Sequence, residues 1–78
     1  MRTYDISNSG VTYRLEEAPE GGYVASVPEL PGCLSEGETM DAALANIREA
    51  LALYIECALE QDLPLPERFR TLPAEALA

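Results

Sequence analysis

The chain has 78 residues, enough for one small domain, and a domain of this size buries only roughly 60% of the surface that its unfolded form exposes. Fourteen acidic residues against five Lys and Arg give a formal net charge of −9, which disfavours binding to nucleic acid or to anionic membranes and favours a basic partner. The chain has no histidine and two cysteines, Cys33 and Cys57, which argues against a zinc site and excludes a histidine-assisted nucleophile.

No leader pattern and no apolar run of about 18 residues is visible, so neither secretion nor membrane spanning is predicted. We therefore expect a cytoplasmic protein without cofactor or metal. In that compartment both cysteines should be reduced, small, buried side chains.

Alternating apolar and polar residues predict an antiparallel sheet. The predicted strands cover residues 11–17, 23–28 and 33–36. A Pro- and Gly-containing turn at 19–22 predicts a hairpin between the first two, and Pro31-Gly32 marks the next turn. Tyr4 and Ile6 also alternate with polar residues, so a further strand near the start is weakly indicated. The sequence leaves open which face of the 23–28 strand points inward.

One long helix is predicted from residue 40 to about 61. Thr39 is a suitable N-cap, and Asp41 favours the positive end of the helix dipole. Apolar residues recur at steps of three and four, the spacing of one helix face: Met40, Leu44, Ile47, Leu51, Tyr54 and Ala58. Pro64 and Pro66 end the helix. The predicted class is α+β, an antiparallel sheet of three or more strands with one long helix packed on one face.

We assign residues 1–66 to a single domain and 67–78 to a C-terminal tail or short helix. A short helical turn from Pro73 is one form the tail could take. A mobile tail is the simple interpretation. The alternative is an arm that docks on a neighbouring molecule through Phe69 and Leu72.

No pair of carboxylates is well placed for acid–base catalysis. Glu16 and Glu17 are neighbours in a strand and point to opposite faces, and the bend at Gly37 separates Glu36 from Glu38. A thiol activated by a helix N-terminus is conceivable for Cys33, but packing under the helix is the favoured interpretation. We therefore predict a protein that is not an enzyme.

Residues outside the apolar stripe of the helix are the candidates for partner binding: Glu49, Leu53, Glu56, Leu59 and Glu60. The simpler alternative is that these residues form an ordinary solvent-exposed helix face without a partner, since such a face would carry the same residue types. Self-association is also expected, because a sheet edge needs cover and homodimers are the commonest solution. The strand over residues 11–15, or the surface of Leu53 and Leu59, would contribute to it.

Three segments carry a resemblance to a known family: residues 22–33, which include P-x-L-P-G-C, then 37–39, then the alanine-rich helix segment 42–51. Together they resemble the HicB-like antitoxin family over residues 11–66. The resemblance implies a partial RNase H-like fold and a cytosolic protein that neutralises a small mRNA-cleaving toxin of the HicA type.

The chain departs from the family pattern in two ways. No DNA-binding domain fits after Pro66, so neither autorepression nor direct nucleic-acid binding by this chain alone is expected, and no fourth strand is evident after the helix. The carboxylate cluster of nuclease chemistry is not apparent. The alternative function is a free-standing homo-oligomeric domain that binds a small molecule or another protein, without a toxin partner.

Overall fold

The fold is described from a computed structural model that defines residues 2–8 and 10–70. Its elements, in chain order, are β1 (Thr3–Asn8), β2 (Val11–Glu17), β3 (Tyr23–Ser26), β4 (Leu34–Gly37), α1 (Met40–Glu60) and α2 (Glu67–Arg70). The strands form one antiparallel sheet in the order β1-β2-β3-β4, so each strand pairs with its neighbour in the chain. The predicted α+β class, with one long helix on the sheet, is confirmed.

The weakly indicated first strand is present as β1. It pairs with β2 from Thr3 opposite Glu16 to Asn8 opposite Val11. Because β1 covers one side of β2 and β3 covers the other, β2 lies inside the sheet. Residues 11–15, which were expected to contribute to self-association, therefore offer no free strand edge, and the edge strands are β1 and β4.

The core lies between one face of the sheet and α1. The sheet contributes the buried residues Val11, Tyr13, Leu15, Ala25 and Val27, and α1 contributes Ala43, Ile47, Leu51, Ile55 and Ala58. The predicted helix stripe is confirmed at its centre, whereas Met40, Leu44 and Tyr54 are only partly buried. The inward face of β3 is now clear, because Ala25 is buried and Val24 is exposed.

Tyr13 places a hydroxyl group in this core. Its side chain is fully buried, and its hydroxyl has no hydrogen-bond partner. Burial raises the pKa of the phenol above its ordinary value of 10.0, while the positive charge of Arg48 lowers it and Cys33 adds a small rise. The hydroxyl is thus a buried polar group without a hydrogen bond, within reach of the positive charge of Arg48.

The start of α1 lies close against the end of β4. The Thr39 side chain accepts a hydrogen bond of 3.0 Å from the Ala42 amide, the expected N-cap. A Cβ atom on Gly37 would lie 2.4 Å from the Ala43 nitrogen, so only glycine permits this approach. The tight turn fixes the helix across the sheet.

The C-terminal segment packs back onto the same core. Phe69 of α2 is 1% exposed, and Leu65 is buried before it. Arg68 forms an ion pair of 2.9 Å with Glu29 and donates a hydrogen bond to the Gly10 carbonyl. Phe69 is therefore occupied within its own chain, contrary to the docking-arm alternative. Leu72 and the helical turn predicted from Pro73 lie outside the described residues.

Candidate partner-binding surface

Four of the five predicted partner-binding residues lie on one exposed face of α1. Glu49, Leu53, Glu56 and Glu60 are spaced by four, three and four, and all are exposed. Leu59 is also exposed, but it projects roughly 120° around the helix from Leu53, because successive residues turn by about 100°. The structure therefore groups the three glutamates with Leu53, and Leu59 lies on the far side of them, one turn from Glu56.

This face is acidic over its whole length. The last turn of α1 contains no basic residue. Arg14 pairs with Asp5 at 3.0 Å, and Arg68 pairs with Glu29, so both of these cations are used elsewhere. The helix face consequently presents three glutamates around one leucine.

An apolar groove lies beside this face, between α1 and β4. Its volume is about 420 Å³. The residues that line it include Leu34, Ala50, Leu53, Cys57, Leu63 and Pro64. Leu34 and Leu53 are each 62% exposed and Leu63 is 46% exposed, so the groove is a genuine apolar surface.

Sequence reasoning identified Leu53 but missed the groove. Leu34, Leu53 and Leu63 come from three separate elements, and each alone is an ordinary exposed leucine. Only the packing of α1 on β4 brings them together. One available signal was Leu34, an apolar residue at an exposed position of β4 close to the turn at Pro31-Gly32.

The edge of β4 beside the groove has open backbone groups. The Val27 amide donates to the Cys33 carbonyl across the β3–β4 pair. Since bonded and non-bonded residues alternate along an antiparallel strand, the N–H and C=O groups of Leu34 and Glu36 point away from β3. Asn46 Nδ2 donates to the Glu36 carbonyl at 2.7 Å, in agreement with this geometry. Among the described residues, the Leu34 groups bond to nothing.

Two cysteines border the groove and differ in exposure. Cys33 is 2% exposed at its base, and burial raises the pKa of its thiol above the ordinary 9.0. This direction is opposite to that of an activated thiol, so the nucleophile alternative is not supported. Cys57 is exposed, and the expectation that both cysteines are buried was wrong for this one.

The described residues, 2–8 and 10–70, contain no helix with the length and apolar character to cross a membrane. Over the same ranges, no three Cys, Asp or Glu side chains lie together as ligands for a metal ion. The fold and surface thus define a small α+β domain with an acidic helix face and an adjoining apolar groove.

Residues 12–75 match the family model described as HicB_like antitoxin of bacterial toxin-antitoxin system. The match covers most of the chain and confirms the resemblance noted in the sequence, so this chain belongs to the HicB-like antitoxin family. Membership supports an antitoxin role and, in general, a toxin partner.

Several curated proteins are similar in sequence. A UPF0150 protein of Synechocystis sp. is 45% identical over 56 residues, which cover 72% of this chain and 71% of that protein. A second UPF0150 protein of the same organism is 37% identical over 67 residues, covering 86% and 85% of the two chains. An uncharacterized 14.9 kDa protein of Haemophilus phage HP1 is 47% identical over 51 residues, which are 65% of this chain but only 38% of the phage protein. No solved structure matches the chain.

Proposed function

We propose that this chain neutralises a small mRNA-cleaving toxin of the HicA type by binding it directly, and that it does so in the cytoplasm without catalysing a reaction. The observation that carries the proposal is the family match over residues 12–75. An antitoxin that masks its target needs one complementary surface and no reactive group. The acidic face of α1 and its neighbouring groove form a surface of this kind.

Charge supports the choice of partner. A ribonuclease that grips an RNA backbone needs basic side chains to neutralise phosphates. A chain of net charge −9 attracts such a protein and speeds the encounter, while apolar contacts hold the complex once formed. The same charge repels RNA, so this chain alone does not compete for the substrate.

The proposal also covers the oligomeric state of the chain and its fold family. The edge strand β1 has one unpaired side within the described part of the chain, and an edge of this kind is commonly covered by self-association. A homo-oligomer is therefore part of the proposed active form. The sheet with one helix across it is compatible with the partial RNase H-like fold that the family implies.

The first test is co-expression of this chain with the basic product of the adjacent gene. Growth rescue, together with a co-purifying complex and loss of RNA cleavage, is the expected result. If the adjacent product is not toxic and the purified chain binds no basic ribonuclease, the proposed function is refuted.

The second test asks whether the helix face steers association. Replacing Glu49, Glu56 and Glu60 by lysine should slow association at low salt by about tenfold or more and leave dissociation nearly unchanged, and the difference should shrink as salt rises.

A matched control changes the same total charge elsewhere. Glu16, Glu20 and Glu67 are exposed and belong to other parts of the fold: β2, the turn between β2 and β3, and α2. Their replacement by lysine should slow association less than the helix triple variant does. Equal slowing by both triple variants would show that net charge alone, rather than this face, sets the rate.

The alternative function is small-molecule binding by a homo-oligomeric domain. The volume of the groove, about 420 Å³, lies within the range of ligand pockets, which favours this candidate. Polar groups that would orient a small ligand are sparse there, and the Tyr54 hydroxyl already lies 3.4 Å from the Pro31 carbonyl. A small molecule that co-purifies with the chain, seen by native mass spectrometry, would favour this function if growth rescue also fails.

A further inference from the structure

We propose that the groove between β4 and α1, with the open edge of β4 at Leu34, is the surface on which the basic partner docks through an extended segment that carries apolar side chains. The inference rests on the proposed function and assigns a location and a binding mode to it. This docking groove is formed by Leu34, Ala50, Leu53, Cys57, Leu63 and Pro64.

The first observation is the concentration of exposed apolar surface. Of the five exposed large hydrophobic residues in the described part of the chain, three line the docking groove: Leu34, Leu53 and Leu63. Leu34 lines it at the β4 edge, since its side chain lies on the outer face of the sheet next to buried Cys33. Exposed leucines that are scattered singly need no explanation, but three gathered at one site mark an interaction surface. Apolar anchors that fill such a site carry most of the energy of an interface.

The second observation is the backbone next to the groove. The N–H and C=O groups of Leu34 point outward from β4 and could pair with an incoming strand, as in recognition by strand addition. Asn46 already bonds to the Glu36 carbonyl, so pairing cannot continue past that residue. The incoming segment therefore pairs at Leu34, and its side chains on one face enter the groove. Alternate side chains of an extended segment point to one side, which suits this arrangement.

The third observation decides between a basic partner and a second copy of the chain. Glu49, Glu56 and Glu60 lie on the side of Leu53 that faces away from the groove, so an acidic strip of α1 borders the groove along Leu53, and Glu36 is exposed on β4. Two copies that met through this surface would bring these carboxylates together, each copy with a net charge of −9. Like charges across an interface disfavour that pairing, whereas lysine or arginine beside an apolar residue complements the acidic strip.

The test compares two leucines on the same helix. Leu53→Asp places a charge in the docking groove, and Leu59→Asp places the same charge at a second exposed site outside it. Both variants keep the buried core intact and should fold, which circular dichroism and a thermal melt can verify. The probe is the purified, catalytically inactive basic product of the adjacent gene, and dissociation constants are measured by surface plasmon resonance.

Leu53→Asp should weaken the complex by roughly thirtyfold or more, the loss typical of a central apolar anchor. Leu59→Asp should change it by less than about threefold. If charge alone controlled binding, Leu53→Asp would instead strengthen the complex with the basic partner, because the added carboxylate makes the helix face more acidic. Equal, small effects of both variants would refute the proposal that the partner binds in the docking groove, while the proposed function would remain in place.

A second measurement does not depend on a variant. In the complex, amide exchange at Leu34 should slow, and Cys57 should be protected from a bulky maleimide that labels it in the free chain. Unchanged exchange at Leu34 together with unchanged labelling of Cys57 would overturn the inference even if the complex forms.

The remaining outcomes are also decisive. If the wild-type chain neither rescues growth nor binds the probe, the proposed function fails and the inference fails with it. If the free wild-type chain is a dimer that Leu53→Asp dissociates, the groove is a contact between copies, and the basic segment is not its occupant.

Discussion

Removal of the Tyr13 hydroxyl should stabilise the protein. The side chain is fully buried and its hydroxyl has no hydrogen-bond partner, so folding takes this group out of water without compensation. An unsatisfied buried polar group costs about 1–3 kcal/mol. Tyr13→Phe removes that cost and leaves the ring in place, and the space left by one oxygen offsets part of the gain. We expect a net gain of about 1 kcal/mol in the free energy of unfolding.

Urea denaturation followed by circular dichroism measures this change directly. The midpoint should rise with an unchanged m-value, because the surface exposed on unfolding stays the same. In a thermal melt, a gain of about 1 kcal/mol corresponds to a rise in Tm of about 4–8 °C for a domain of this size. Tyr4→Phe is the matched control, since the Tyr4 hydroxyl donates to Glu17 at 3.2 Å. Its loss should destabilise by about 0.5–1.5 kcal/mol.

The pH dependence adds a second readout for the same variant. The pKa of Tyr13 is raised in the folded state, so above pH 10.0 the unfolded chain loses this proton first. The free energy of unfolding of the wild type is therefore unaffected by this titration below that pH, and it falls as the pH rises towards the raised pKa of the folded state. Tyr13→Phe lacks this loss, and its advantage should grow in alkali. If Tyr13→Phe instead destabilises the protein by about 1 kcal/mol or more, the hydroxyl has a partner and the reasoning is refuted.

Two further predictions concern side chains that the fold places in contrasting surroundings. Phe69→Ala should lower the free energy of unfolding by about 3–5 kcal/mol in urea denaturation, because the ring is part of the core. Leu63 is exposed, so Leu63→Ala should change this free energy by less than about 0.5 kcal/mol. Similar small losses for both variants would show that α2 is not docked on the core. Under native conditions a thiol reagent monitored by mass spectrometry should label Cys57 first and Cys33 only on unfolding, because Cys33 is buried and its pKa is raised; simultaneous labelling of both would contradict this burial.

Local patterns were sufficient to predict the elements of the fold. Steps of three and four residues located α1, and Thr39 and Pro64 marked its ends. Period-two alternation located β2 and β3 to within two residues. These signals are informative because each helix or strand buries one of its faces, so apolar residues recur with the period of that element's geometry.

The errors concern relations between elements. The alternation in β1 is short and its residues are exposed or only partly buried, so its pairing with β2 was underweighted, and β2 was considered as a surface for self-association. Phe69 was considered as part of a docking arm because no local pattern shows that its ring packs back onto the core. The docking groove depends on α1 packing beside β4, and no local pattern encodes that contact. The partner-binding residues remain a prediction.

The order of the sheet also determines which parts of the molecule fold together. Every strand pairs with a sequence neighbour, and α1 begins next to β4, so most native contacts close short loops and cost little chain entropy. The exception is α2, where Arg68 must reach Gly10, 58 residues earlier. We therefore expect the meander and α1 to assemble first and α2 to join last. The same segment would be the first to detach in native-state fluctuations, opening the core at Phe69 while the sheet and the docking groove remain formed.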